Sequence, residues 1–352
     1  KGFYMNVFKF YNVGQGLFYF GELDNNFRFV YDCGGSKRYV NNAIKNGFTK
    51  GKSLDLLVIS HLHEDHTNGI DELIKFTGKP KKIILPYLYL SGNHNRRTLF
   101  LSTYFLVNGY SLNDYHKYSD RFTNEGWPNS DVKENSDNIK SGLFEYRKKV
   151  IRDGDWTFVL YNKSYNKNKI EELIDDLEKE IGINSQKKAD SIDLTISKYL
   201  NVKGNIKKIK KIYERYFTDL NISNTILFHF PTDSYCDGLS LLTGDGTLDI
   251  QDIDYIKKTK LSRELEYYPY HYRCPTIGYF QVPHHGSKTA LETIDFFSRS
   301  NNFYISFGLG NKYKHPSSEV IDYLNKHCTG NIHFCYQSNI ICFNENTYYI
   351  YD

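Results

Sequence analysis

Residues 54–66 read LDLLVISHLHEDH, an apolar run followed by three histidines, a glutamate and an aspartate in the last six positions. The first half has the continuous apolar character of a strand buried on both faces. The second half is hard to explain by packing. His61 and His63, two residues apart, can point the same way from an extended segment, while Asp65 and His66 lie where the chain turns into the next helix. One loop can thus offer ligands to two neighbouring metal ions. Imidazole nitrogen with carboxylate oxygen suits Zn²⁺, and Mn²⁺ or Fe²⁺ can use the same donors because ligand type alone does not choose among them. The bland alternative, a chance histidine-rich surface loop, fits poorly with a position directly at the end of a buried strand.

Working outward, strands are expected over 3–11, 15–22 and 27–31, where apolar and polar residues alternate around turn-forming Gly14–Gly16 and Asp24–Asn26. A helix at 37–46, the strand at 54–60, a helix at 67–76 and a strand at 82–86 follow. Residues 95–155 carry few signals before a strand at 156–161. Ile170, Leu173, Ile174, Leu177 and Ile181 then mark an amphipathic helix over 168–182. After 220, strands at 224–230, 239–243, 276–282 and 303–307 alternate with helices at 249–258, 289–298 and 317–327, and strands at 331–335, 339–343 and 347–351 close the chain. Two similar halves of this kind make an α/β protein, a four-layer αββα sandwich with helical insertions.

Composition narrows the function classes. The chain has 352 residues, 24% charged, with a formal net charge of +4 and a mean hydropathy of −0.57. No run approaches the roughly 18 apolar residues of a membrane-spanning helix, so no membrane span is expected. The net charge is too small to identify a nucleic-acid partner. Locally, Lys203, Lys207, Lys208, Lys210, Lys211 and Arg215 face only Glu214 across 201–216, which suits either a solvated helix face or a ridge that follows phosphates. Six scattered cysteines form no CxxC pair, so reduced, structural cysteines are expected. The opening segment lacks a basic-then-apolar signal region, and the expected compartment is the cytoplasm.

The segment His61-Leu62-His63-Glu64-Asp65-His66 resembles the His-x-His-x-Asp-His signature of the metallo-β-lactamase superfamily. Further stretches agree in order: Asn12–Gly16, Asp32-Cys33-Gly34-Gly35, Leu242-Thr243-Gly244-Asp245, Val282-Pro283-His284-His285-Gly286-Ser287 and His315-Pro316-Ser317. This set resembles a branch containing the hydrolase domain of the DNA-uptake competence protein and the phosphorylcholine esterases. The resemblance implies a single domain over 1–352, with its core at about 1–90 and 220–352 and an insertion at about 91–220.

It also implies a site of two divalent ions, zinc before manganese. His61 and His63 would hold the first ion, Asp65, His66 and His284 the second, and Asp245 would bridge them. Asp32 would support the histidine loop by hydrogen bonding, His285 would face substrate, and His315 would stand at the rim. The family's further histidine on the first ion has no counterpart here, because Asn221–Thr225 stands in its place and His229 lies inside the following strand. Water or Asn224 would then complete a weaker first site.

The activity implied is hydrolysis by a metal-bound hydroxide, with a phosphodiesterase or nuclease foremost. Asp65 would orient the hydroxide, and His285 or His315 would serve the leaving oxygen. Lys207, Lys208, Lys210 and Lys211 would contact the phosphates of a nucleic-acid substrate. A carbonyl substrate such as a thioester, lactone or β-lactam, and a binding module with a vestigial metal site, are the rival readings. The sequence identifies no protein partner.

Overall fold

Alternation along the strands builds two sheets that share an interior. In β3 (Arg28–Cys33), Phe29 and Tyr31 point to the side opposite Val30, and in β4 (Leu56–Val58), Leu56 and Val58 oppose Leu57. Successive strand residues face opposite sides, so one set fills the gap between the sheets and the other meets helices. Phe158 and Leu160 likewise face the shared interior from the second sheet, while Val159 and Tyr161 face outward. The computed structural model describes residues 6–87, 93–107, 144–165, 167–183, 192–217, 223–232, 239–253, 277–337, 340–343 and 348–351.

The first sheet has seven strands in the order β14 (Tyr348–Tyr351), β13 (Ile340–Phe343), β1 (Val7–Phe10), β2 (Phe18–Glu22), β3, β4 and β5 (Lys82–Ile84). Its pairs are antiparallel up to β3 and parallel from β3 to β5. The second sheet, also seven-stranded, runs β12 (Asn331–Cys335), β11 (Asn302–Ser306), β10 (Tyr279–Gln281), β9 (Ser240–Leu242), β8 (Ser223–Pro231), β7 (Trp156–Tyr165) and β6 (Phe144–Asp153). Here β9 to β12 are parallel, and β6 to β9 antiparallel.

Helices α1 (Lys37–Gly47) and α3 (Ile70–Thr77) cover the outer face of the first sheet, and a short α2 (Glu64–Thr67) precedes α3. Their apolar cluster continues into α4 (His94–Val107), α5 (Lys167–Ile181), α6 (Ile192–Leu200) and α7 (Asn205–Tyr216). On α5 the five expected apolar positions are all buried. Arg96 of α4 ties the pair together, reaching Glu171 at 2.7 Å, Asp175 at 2.8 Å and Glu178 at 3.2 Å. Helices α8 (Leu291–Phe296) and α9 (Ser318–His327) pack on the outer face of the second sheet. The αββα layering expected from the sequence is thus present.

Helices α4 and α6 and one strand had no counterpart in the sequence reading. The polar stretch before residue 156 contains β6, which pairs along its whole length with β7 and extends the second sheet by an edge strand. Its charged sequence suits an edge and hides the alternation that marks an interior strand. Residues 254–258 of the helix expected at 249–258 lie outside the described residues. Cys33, Cys328 and Cys335 are free thiols. Among the described residues, no helix is long and apolar enough to cross a membrane.

Candidate metal centre

The site forms where both sheets end. His61 follows β4, Asp32 lies near the end of β3, Asp245 follows β9, and His284 and His285 follow β10. Carboxyl ends of parallel strands are where open α/β sheets usually gather functional side chains.

A bulge places Asp32. Phe18 pairs with Cys33 and Tyr19 with Tyr31, so Asp32 is an extra residue in the β2–β3 ladder, with φ of 56°. Aspartate tolerates this left-handed conformation better than most residues. The fully buried carboxylate accepts hydrogen bonds from the Ser60 amide at 2.7 Å, Ser60 Oγ at 2.6 Å and His66 Nδ1 at 2.8 Å. Ser60 Oγ, having given its proton to Asp32, accepts from His61 Nδ1 at 2.9 Å. Gly34 lets the chain after β3 press against the histidine loop, since a Cβ there would come within 2.4 Å of the Asp65 and His66 backbone.

His285 is tethered by the same logic. Its Nδ1 donates to the Ser306 carbonyl at 2.8 Å, and a carbonyl can only accept. All three tethers keep a proton on Nδ1 and turn Nε2 inward, as the atom that would face a cation. His66 Nε2 lies 3.1 Å from Asp245 Oδ1, His61 Nε2 3.5 Å from Asp245 Oδ2, and His285 Nε2 3.3 Å from Asp65 Oδ2. Ligand atoms of His61, His66 and Asp245 fall within 4.8 Å of one another, as do those of Asp65, His66 and His285.

These donors fit divalent cations. The buried Nε2 atoms of His61, His66 and His285, and Oδ1 of Asp245, have no hydrogen-bond partner. Burial of so many polar atoms is unfavourable unless something satisfies them. Charge points the same way. Burial alone would raise the Asp245 pKa, yet His66, His285 and His61 hold it well below the ordinary carboxylate value. Burial lowers His66, but Asp245, Asp32 and Asp65 outweigh it and push its pKa well above the usual histidine value. His285 is raised against its burial by Asp245 and Asp65, and Asp65 is lowered against its own by His66 and His285. The carboxylates therefore draw positive charge into the cavity.

The structure separates the two adjacent histidines by burial. His285, expected to face substrate, is 4% exposed and grouped with Asp65 and His66. His284, expected on the second ion, has its side chain 36% exposed and its Nε2 3.8 Å from Asp245 Oδ2. Both occupy left-handed conformations, with φ of 49° and 54°. That strain, characteristic of functional sites, turns the second ring inward and the first outward.

His63 approaches Asp245 Oδ2 at 4.0 Å, its ring 4.5 Å from that of His61. His315 stands at the rim, 5.6 Å from His284 between ring centroids and stacked on Tyr313. Burial, His284 and His285 together push its pKa down against Asp245. Asn224 is buried beside the Asp245 turn. Lys207, Lys208, Lys210 and Lys211 are exposed on α7. Lys208 lies 3.5 Å from Glu180.

Two supports escaped the sequence reading. Ser60 links Asp32 to His61, and only its place between an apolar strand and His61 hints at this. Gln281 buttresses the Asp245 turn: its Oε1 accepts from the amides of Thr243 and Gly244, each at 2.8 Å, and its Nε2 donates to Val282 O at 2.7 Å. A lone amide in the apolar strand YFQV was the available signal.

The profile of the metallo-beta-lactamase superfamily matches residues 11–158. No curated protein matches the chain by sequence. Among solved structures it is similar to a long-form RNase Z from yeast, with 10% identity over 96% of this chain and 48% of that one and a TM-score of 0.36. The chain thus spans about half the length of that RNase Z. It is also similar to MEM-A1, a subclass B3 metallo-beta-lactamase from a soil metagenome library, with 12% identity, 47% and 57% coverage and a TM-score of 0.22. A metallo-beta-lactamase from Cronobacter sakazakii shows 9% identity, 59% and 89% coverage and a TM-score of 0.22. The profile match covers less than half of the chain, and with the two seven-stranded sheets and their helices it is consistent with a metallo-beta-lactamase fold.

Proposed function

We propose that this chain is a metal-dependent hydrolase of phosphodiester bonds. The supporting observation is the set of tethered imidazoles: His61, His66 and His285 all give their Nδ1 protons to protein acceptors and turn unpartnered Nε2 atoms toward Asp245. In this reading His61, His63 and Asp245 would hold one divalent ion, and Asp65, His66, His285 and Asp245 a second. Such ions would supply a water acidic enough to attack at neutral pH, its pKa lowered toward about 7, and positive charge at the attacked centre.

The chain's own residues do the rest. Asp32 and Ser60 fix two rings, Ser306 a third, and Gln281 and Thr243 hold the turn that presents Asp245. Asp65, whose side chain is 32% exposed, is the carboxylate that can also meet an attacking water. His284 and His315 line the open side, where nonbridging and leaving oxygens would lie. With its pKa depressed, His315 is uncharged at neutral pH, which suits a hydrogen bond to substrate better than proton donation. Nucleic acid is the natural extension of the substrate class, since Lys207, Lys210 and Lys211 form an exposed cationic face on α7.

The test measures metal per chain by elemental analysis beside hydrolysis of bis(p-nitrophenyl) phosphate and of single- and double-stranded DNA and RNA, with Zn²⁺ or Mn²⁺ added. Metal uptake with cleavage abolished by Asp245→Ala is expected. Cleavage that survives both chelation and Asp245→Ala would overturn the proposal. Bound metal with turnover only of thioesters or lactones would move the activity to carbonyl substrates, and failure to take up metal would leave a binding module.

A further inference from the structure

We propose that the side-chain oxygen of Asn224 is a ligand of the ion that His61 and His63 would hold, an inference that rests on the metal-site reading above. Asn224 is the second residue of β8 and only 7% exposed. Its Nδ2 donates to the Thr243 carbonyl at 3.0 Å, and that carbonyl also accepts from the Gly246 amide at 3.0 Å. The amide group therefore clamps the turn that carries Asp245. Contact is close because residue 246 is glycine: a Cβ there would come 2.0 Å from Asn224 Nδ2. The neighbouring residue, Thr225, donates its backbone amide to the Ser60 carbonyl at 2.7 Å. Asn224 thus lies where the Asp245 turn meets the residue preceding His61.

The orientation of the amide is set by chemistry. Only the NH₂ end can donate to Thr243, so the other end must be the oxygen. That oxygen is buried and has no hydrogen-bond partner. It joins the Nε2 atoms of His61, His66 and His285 and Oδ1 of Asp245, which lack partners as well. His61, His63 and Asp245 supply three donors, and a further protein oxygen is compatible with a bound water because a catalytic ion can expand to five ligands. Asn224 supplies the fourth.

This has a consequence for metal choice. An amide oxygen is a hard, neutral donor of the kind that suits Mn²⁺ and Mg²⁺, whereas imidazole suits Zn²⁺. With two imidazoles, one carboxylate and one amide, the first position is weaker and less biased toward zinc than an imidazole-rich one.

Asn224→Ala, Asn224→His and the wild type are titrated as full chains with Zn²⁺ and with Mn²⁺ against a chelator. The visible spectrum of the Co²⁺ forms is recorded, together with the melting temperature of each metal-free protein. In Asn224→Ala the second ion should bind as in the wild type and the first about 10- to 100-fold more weakly. In Asn224→His the first position should regain affinity, its Zn²⁺ over Mn²⁺ preference rising about tenfold or more, with a changed Co²⁺ spectrum. Wild-type affinities and spectra in both variants would overturn the inference. So would an equal loss at both positions accompanied by a lower metal-free melting temperature, the mark of a residue that only clamps the turn. If both variants are unchanged while the wild type binds two ions, this inference alone fails. A wild type that takes up no metal overturns the metal-site reading and this inference with it.

Discussion

Replacing Asp32 by asparagine preserves shape and removes one acceptor, which makes it a sharp probe of the site. The carboxylate now accepts three hydrogen bonds, one at Oδ1 from the Ser60 amide and two at Oδ2 from Ser60 Oγ and His66 Nδ1. A carboxamide has a single oxygen. Turned toward the Ser60 amide, it sets an NH₂ against His66 Nδ1–H; turned the other way, it sets the NH₂ against the Ser60 amide. Ser60 Oγ can rotate, but His66 can accept through Nδ1 only by moving its proton to Nε2, the atom that faces Asp245. Either arrangement loses at least one charge-assisted hydrogen bond, about 1.5–3 kcal/mol, or roughly 10- to 100-fold in metal affinity, the usual cost of losing such a support. The assay is chelator competition on Asp32→Asn and wild-type protein, with circular dichroism to confirm the fold. Wild-type affinity in a native fold would refute the argument that Asp32 orients His66.

Other expectations follow from the same geometry. His285→Ala should lower the metal content, whereas His284→Ala should keep it and slow turnover; elemental analysis that shows the reverse returns His284 to the ligand position. In metal-free protein, His66 and His285 have raised pKa values, so the stability they contribute is fully present below about pH 6.5 and lost as pH rises through the raised values. An ion replaces those protons, so metal uptake at neutral pH should release them, and calorimetry in buffers of different ionisation enthalpy should detect it. His229, buried with its pKa lowered to about 3 by desolvation, opposes acid: stability falls as pH drops from about 6.5 toward 3. His229→Leu should flatten that slope, while removing the hydrogen bond between His229 and the Tyr19 hydroxyl at a cost of about 1–3 kcal/mol. Lys207→Glu with Lys210→Glu should raise KM for nucleic acid, reduce its salt dependence and leave bis(p-nitrophenyl) phosphate unaffected.

The sequence reading was strongest where chemistry is local. The histidine loop is legible because its donors are neighbours in the chain and sit at the end of a recognisable buried strand. Which of His284 and His285 is buried was not legible, because two left-handed residues and a carbonyl from β11 decide which ring turns inward. Strand β6 escaped for a different reason. An edge strand needs little apolar alternation, while its partner β7 is buried along nearly its whole length. Ser60 and Gln281 escaped because their partners come from other strands, and no spacing rule relates a buttress to what it supports.

The donors come from both sheets: Asp65 and the histidine loop from the first, Asp245 and His285 from the second. A bound ion would therefore be a cross-link between the two halves of the sandwich. Parting the sheets and releasing the metal would become one event, so loading should slow amide hydrogen exchange in β3, β4, β9 and β10 together, across a boundary that no disulfide spans among the described residues.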